Sequence, residues 1–231
     1  MSPRLGVLGG TFNPVHVGHV RLALEMAEAL GLDGVEIVPA ARPPHKPEEG
    51  LLPFELRLRL LEMALGDLEG VRANSMEAGR PGPSYTVHTL EELARRRPGD
   101  ELHFILGSGD LLTLHQWRDG HRLGDLAHLA VAGRDRHGRD AVADYLASRP
   151  ELGYAPAGPG LWERASGRRL VLVDVPRLDI SASFVRDRFR RGSNLRFLLP
   201  PAVERELARL RPRLLEIWRE RAPSPSVKAH S

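Results

Sequence analysis

Apolar residues recur along this chain in two alternating rhythms. Short continuous runs at Leu5–Leu8, Val35–Val38, Val71–Ser75, Leu102–Leu106, Leu126–Val131 and Leu170–Val175 read as buried strands. Between them, apolar residues return at helical spacing. Val20, Leu22, Ala23, Leu24, Ala27 and Leu30 mark a helix over residues 18–30, with Gly31 as its stop. A second helix spans Phe54–Leu65, stopped by Gly66, and a third opens at Ser84-Tyr85-Thr86 and runs to Arg96. The pattern continues helical over residues 140–148, 180–191 and 201–219. Strands that alternate with helices and read as continuous apolar runs predict an α/β fold, an open parallel sheet with helices on both faces and helices at the C-terminal end. In such sheets ligands sit at the carboxyl ends of the strands.

The proline-rich stretch Ala40–Pro53 reads as an exposed loop, as do Gly153–Gly160 and the longer segment Glu151–Arg169 around it. No internal repeat or low-complexity linker divides the body of the chain. Residues 1–221 therefore read as a single domain and residues 222–231 as a frayed, disordered tail. The 231 residues are enough for a full core, and 42% hydrophobic with 27% charged residues is ordinary globular composition. No apolar run approaches the roughly 18 residues that span a bilayer, so no membrane association is expected. Met1–Leu5 leads straight into a strand, with no visible signal peptide, and a cytoplasmic location is the expectation. The absence of cysteine removes disulfides, thiolate metal sites and cysteine nucleophiles. A net charge of +3 is too mild to mark a nucleic-acid binder by field alone. The runs Arg95-Arg96-Arg97 and Arg186–Arg191 read as solvated helix faces.

Two motifs carry chemistry. The first, Gly9-Gly10-Thr11-Phe12-Asn13-Pro14-Val15-His16-Val17-Gly18-His19, joins the first strand to the first helix. Its glycines let backbone N–H groups approach an anion closely. His16 and His19 share a face at the helix N-terminus, where the dipole favours negative charge, so the pair reads as a phosphate clamp. A plain tight turn, two partly buried histidines, and a two-histidine metal site without a nearby third ligand stay open as readings. It is neither a Walker loop nor a Gly-x-Gly-x-x-Gly turn. The second motif, Ile180-Ser181-Ala182-Ser183-Phe184-Val185-Arg186, follows the sixth strand. Ser181 is a natural N-cap, and Ser183 and Arg186 add donors on the same first turn. Alone, a serine cap with a surface arginine is commonplace.

Read together, the two motifs resemble the HxGH nucleotidyltransferase superfamily, and within it the bacterial nicotinate-nucleotide adenylyltransferases. The segments between agree in order: Pro44-His45-Lys46, Glu77 with Ser84-Tyr85-Thr86-Val87-His88-Thr89-Leu90, Leu106-Gly107 with Leu111 and Trp117, Arg134, and Leu198-Leu199-Pro200 with Val203. The likeness covers about residues 4–215. This chain departs from the family in carrying Asn13 where Asp is frequent, and Ala182 and Ser183 in place of Ser and Thr. The family's Gly-x-Asp is here Gly107-Ser108-Gly109, with Asp110 one place late, so either Asp110 reaches over or a ribose contact is lost.

The resemblance implies a Rossmann-like sheet of the nucleotidyltransferase type. It implies adenylyl transfer from ATP to nicotinate mononucleotide, giving nicotinate adenine dinucleotide and pyrophosphate in NAD biosynthesis. By that likeness His16, His19 and Arg186 would be catalytic. Gly9, Gly10, Thr11, Phe12, Gly18, Lys46, Gly107, Asp110, Arg134, Ser181 and Ser183 would bind ATP. Asn13, Tyr85, Thr86 and Trp117 would bind the mononucleotide, Trp117 by stacking on the pyridine ring. Mg²⁺ would be bound mainly through ATP phosphates, with no protein metal site. His45, His88, His103, His115, His121, His128 and His137 read as structural or surface residues. The partners implied are the two substrates, with no nucleic acid, and a homo-oligomer is compatible with the sequence. The rival readings are a related transferase acting on nicotinamide mononucleotide or pantetheine phosphate, and a non-catalytic nucleotide-sensing module.

Overall fold

The computed structural model describes residues 2–133 and 136–219. Its strands are β1 (Arg4–Gly10), β2 (Gly34–Pro39), β3 (Val71–Ala73), β4 (Glu101–Gly107), β5 (His128–Gly133), β6 (Ala155–Gly158), β7 (Leu161–Glu163) and β8 (Arg169–Asp174). Its helices are α1 (Val17–Leu30), α2 (Phe54–Leu65), α3 (Thr86–Arg96), α4 (Ser108–Leu111), α5 (Leu123–Leu126), α6 (Arg136–Ala147), α7 (Ala182–Arg190), α8 (Pro201–Arg209) and α9 (Arg211–Ile217). The strands form one sheet in the order β3-β2-β1-β4-β5-β8-β7-β6. From β3 to β8 every pairing is parallel. The chain steps outward from β1 to β2 and β3, then crosses back to lay β4 on the other side of β1. Strand order therefore reverses between β1 and β4, the place where sheets of this kind bind ligands.

Period-two alternation along the strands separates two cores. Leu8, Ile37 and Ile105 face α1, α2 and α7–α9, whereas Val7, Val38, Phe104 and Leu106 face α3–α6. Gly31, with φ 58°, stops α1 in a left-handed cap. No helix among the described residues is long and apolar enough to cross a membrane.

Three expectations need correcting. The segment Glu151–Arg169 is not a surface loop. After a turn at Pro150–Leu152, β6 and β7 form a hairpin that pairs antiparallel with itself and with β8, so the sheet is parallel only in its main body. Leu152 and Trp162 lie buried in the second core. The signal was weak because the strands have four and three residues, with a register shift between Pro156 and Gly158. Pro156 lacks an N–H and fits an edge strand. The apparent C-terminal helix over 201–219 is two helices, broken at Leu210 (φ −90°, ψ 8°). Pro212 cannot return a hydrogen bond to the Ala208 carbonyl. The fifth strand begins at His128, because Leu126 closes α5. Arg134 and the predicted tail at residues 222–231 lie outside the described residues.

Candidate active site

The carboxyl ends of β1, β4 and β8 place the two motifs side by side. Gly9-Gly10 ends β1, and the chain turns at Thr11 and Phe12 into α1. Phe12 sits at φ 49°, and its ring folds back under the loop. A Cβ on Gly10 would stand 2.8 Å from that ring, so the turn requires glycine there. The ring is buried, at 2% exposure, and meets His19 edge-on at 4.9 Å. The Phe12 side chain therefore shapes the loop from beneath and is withdrawn from its outer face.

His16 caps α1 and His19 stands one turn on, their rings stacked 3.6 Å apart. The His16 backbone N–H donates to His19 Nδ1 at 3.2 Å. That bond fixes the tautomer of His19 and leaves its Nε2 as the N–H donor. Burial first, and then the neighbouring His16, hold His19 well below the ordinary imidazole pKa, so the ring is neutral at physiological pH. The space at Gly18 is taken by the His16 ring, whose Nδ1 would lie 3.1 Å from a Cβ there, with Ile180 at 3.9 Å. Gly18 thus allows the first motif to fold against the second.

The second motif closes from the β8 side. Ser181 caps α7, its Oγ accepting from the Phe184 N–H at 3.1 Å and lying 3.0 Å from Ser183 Oγ. Both serines are exposed. Arg186 donates Nη1–H to the Asn13 carbonyl at 2.7 Å, which brings the late arginine onto the early loop across 173 residues of chain. Burial, and then Arg190, lower its pKa.

The Asn13 side chain is committed elsewhere. Its Nδ2 donates to the Gly50 carbonyl at 2.8 Å and its Oδ1 accepts from the Leu52 N–H at 3.0 Å. Asn13 therefore anchors the end of the Ala40–Pro53 loop. Lys46 is exposed within that loop. The loop's other end is pinned by Glu77, which accepts from the Ala41 N–H at 3.2 Å and from the Thr89 hydroxyl at 2.5 Å.

At the end of β4, α4 begins directly, and Asp110 Oδ2 would lie 3.3 Å from a Cβ on Gly107. The Asp110 carboxylate thus lies beside the Gly107 end of β4. Tyr85 caps α3 with Thr86 as its first residue, and the Arg118 guanidinium lies 5.9 Å from the Tyr85 ring. Trp117, next in chain to Arg118, is half-buried and edge-on to Phe104 at 6.4 Å. Phe104 in turn faces Gly9, 3.8 Å from where its Cβ would stand. The predicted mononucleotide residues Tyr85, Thr86 and Trp117 thus gather on the β4 side of the loop.

Sequence reasoning missed Arg57. It is fully buried on α2 and donates three hydrogen bonds to backbone carbonyls: Nε to Leu52 at 3.0 Å, Nη1 to Thr11 at 2.8 Å and Nη2 to Ala41 at 3.2 Å. Its spacing was a usable signal, because Arg57 stands three and four residues before Leu60 and Leu61, on the apolar stripe.

A strand-order reversal topped by a glycine turn, a paired-histidine helix start and an arginine arriving from a distant helix is the arrangement of a nucleotidyltransferase-type α/β fold. A model of the cytidylyltransferase-like family matches residues 7–188, and the chain belongs to that family. It is 43% identical over 204 residues to a protein of Trichlorobacter lovleyi described as a probable nicotinate-nucleotide adenylyltransferase, covering 87% of this chain and 94% of the relative. A similarly described protein of Geobacter sulfurreducens is 42% identical over 207 residues, with the same coverage. Among solved structures, Plasmodium falciparum nicotinic acid mononucleotide adenylyltransferase complexed with NaAD shares the fold. Its TM-score is 0.69 at 14% identity, over 90% of this chain and 95% of that one.

Proposed function

We propose that this chain transfers AMP from ATP to nicotinate mononucleotide, releasing pyrophosphate and forming nicotinate adenine dinucleotide. The observation that carries the reading is the meeting of His16, His19 and Arg186 around one glycine loop at the β1/β4 reversal. The names of the relatives that align along most of the chain supply the substrate class.

The chemistry needs no protein nucleophile. A phosphate monoester loses its second proton near pH 6, so the mononucleotide phosphate is largely dianionic at neutral pH. One of its oxygens bonds to the ATP α-phosphorus while the bond from that phosphorus to the bridging oxygen breaks, and the electron pair leaves with pyrophosphate. The residues align two anions and meet the charge that develops. Gly9, Gly10 and Thr11 hold the triphosphate, and His19 donates from Nε2. Ser181, Ser183 and Arg186 take the departing β- and γ-phosphates, and Lys46 neutralises phosphate from its loop. Asp110 takes the ribose. Tyr85 and Thr86 receive the pyridine carboxylate, and Trp117 stacks on its ring.

Among the described residues no group of three or more His, Asp or Glu side chains is arranged to hold a metal. Mg²⁺ would be carried by ATP phosphates and water, the mode this ion prefers, and would neutralise phosphate charge there. The test follows label from [α-³²P]ATP. Its appearance in a dinucleotide, with unlabelled pyrophosphate released, supports the reading; label released in pyrophosphate-sized or free products only would overturn it.

A further inference from the structure

Arg57 carries a buried charge that, among the described residues, no carboxylate touches directly. All three of its hydrogen bonds go to neutral carbonyls, while Glu55 and Glu77 act on it only through their fields. Burial pulls its pKa down to about 10, so it stays a cation at neutral pH. A buried cation without a paired anion is costly, and cores avoid it. Its Nη1 lies directly beneath Thr11, the residue that closes the glycine turn. An anion held above that turn would add its field to those of Glu55 and Glu77.

The same side chain ties three pieces of backbone together. Through Ala41 and Leu52 it grips both ends of the loop that displays Lys46, and through Thr11 it grips the glycine turn. Each end has a second anchor, Glu77 at Ala41 and Asn13 at Leu52, and Asn13 also takes Arg186. We propose that Arg57 is a positioning residue for the transfer. Its charge sets the anion affinity of the Gly9–Thr11 turn, and its fork holds the Lys46 loop in register with that turn. The inference rests on the adenylyl-transfer reading of the same site.

Lysine keeps the charge but cannot reach three carbonyls with a planar fork, whereas methionine keeps only the volume. The full chain, as wild type, Arg57→Lys and Arg57→Met, is compared in two ways. Calorimetry measures inorganic tripolyphosphate binding, and steady-state turnover uses ATP with nicotinate mononucleotide. Arg57→Met should weaken tripolyphosphate about tenfold, as one charge acting over roughly 10 Å at an effective dielectric near 20 would. Arg57→Lys should hold tripolyphosphate and the KM for ATP within about threefold while kcat falls about tenfold, the loss expected for one misplaced set of charged hydrogen bonds. If Arg57→Met does not fold, hydrogen exchange on Arg57→Lys carries the test. The Ala41 and Leu52 amides should then exchange about tenfold faster than in the wild type with tripolyphosphate bound, the same loss read at the loop ends.

Variants that only melt earlier, with unchanged affinity, kcat and exchange, would make Arg57 a structural residue and overturn the inference alone. Weakened tripolyphosphate in the variants, with a wild type inactive on nicotinate mononucleotide, would keep the charge assignment and overturn the transfer reading. A wild type that binds no tripolyphosphate overturns both.

Discussion

Replacing His19 separates the rate-enhancing work of the histidine pair from its structural work. Alanine at this position removes the ring stacked on His16, the edge contact with Phe12 and the acceptor of the His16 N–H. A ring pair is worth about 1 kcal/mol beyond its buried area, and the lost hydrogen bond about 1 kcal/mol more. With two such ring contacts and one hydrogen bond lost, the sum of about 3 kcal/mol lowers Tm by roughly 6–12 °C in a chain of this size. The loss in rate has a separate origin. Nδ1 is already used, so the ring has one donor, Nε2–H, and losing one preorganised donor to developing charge costs on the order of 10²–10³ in kcat. The two amide isosteres divide these effects. His19→Asn puts an acceptor near Nδ1 and should lower Tm by only about 4–8 °C, the loss of the two ring contacts without the hydrogen bond, while turnover collapses. His19→Gln puts a donor near Nε2 and should retain more turnover than Asn at the expense of Tm. The assay is pyrophosphate release measured at least 20 °C below each variant's melting point. Near-normal kcat in both the Ala and the Asn variants would refute the donor role.

Other expectations follow from particular contacts. Trp117→Ala should raise the KM for the mononucleotide more than that for ATP. An equal rise in steady-state assays would assign the indole to packing on Phe104. Asp110→Ala should raise the KM for ATP about tenfold, the value of one hydrogen bond to a charged group of about 1.5 kcal/mol; an unchanged KM would show that the shifted carboxylate misses the nucleotide. At the opposite end of the sheet, His103 and His128 stack 4.9 Å apart, and Glu101 lies 2.8 Å from His103 Nε2. Burial, and then His103, pull the His128 pKa to about 4. The folded ring binds its proton less tightly than the unfolded one. Stability is therefore complete above pH 6.5 and drains as pH falls towards 4, by about 3 kcal/mol for His128. Urea melts at pH 7 and 4.5 read this directly, and His128→Gln should flatten the difference.

The site's polar groups were legible in the sequence wherever they fell at strand ends. His16 and His19 stand out by spacing after a strand, and Ser181 by its place before an apolar helix, and the fold stacks and caps them accordingly. Asn13 shows where that legibility stops. Its position in the motif says nothing about its partners, because Gly50 and Leu52 approach only once the loop after β2 has closed. Phe12 was placed against the nucleotide by neighbourhood, and the positive φ that turns its ring inward has no signature in a bulky aromatic residue. Arg57 was hidden by its own chemistry, since a charged residue on a helix is ordinarily solvated. The β6–β7 hairpin was lost to brevity, with one buried anchor, Trp162, in a stretch rich in glycine and proline.

The most direct test of the central claim is pyrophosphate release from ATP and Mg²⁺, with nicotinate mononucleotide and its amide analogue run side by side on the same preparation. The proposed reaction predicts rapid release with the acid and at least tenfold slower release with the amide, because a carboxylate at the Tyr85–Thr86 helix start would take charge-assisted hydrogen bonds that the amide forgoes. Equal rates with both would contradict that specificity, and release with neither, from protein shown to be folded, would contradict the assigned reaction itself.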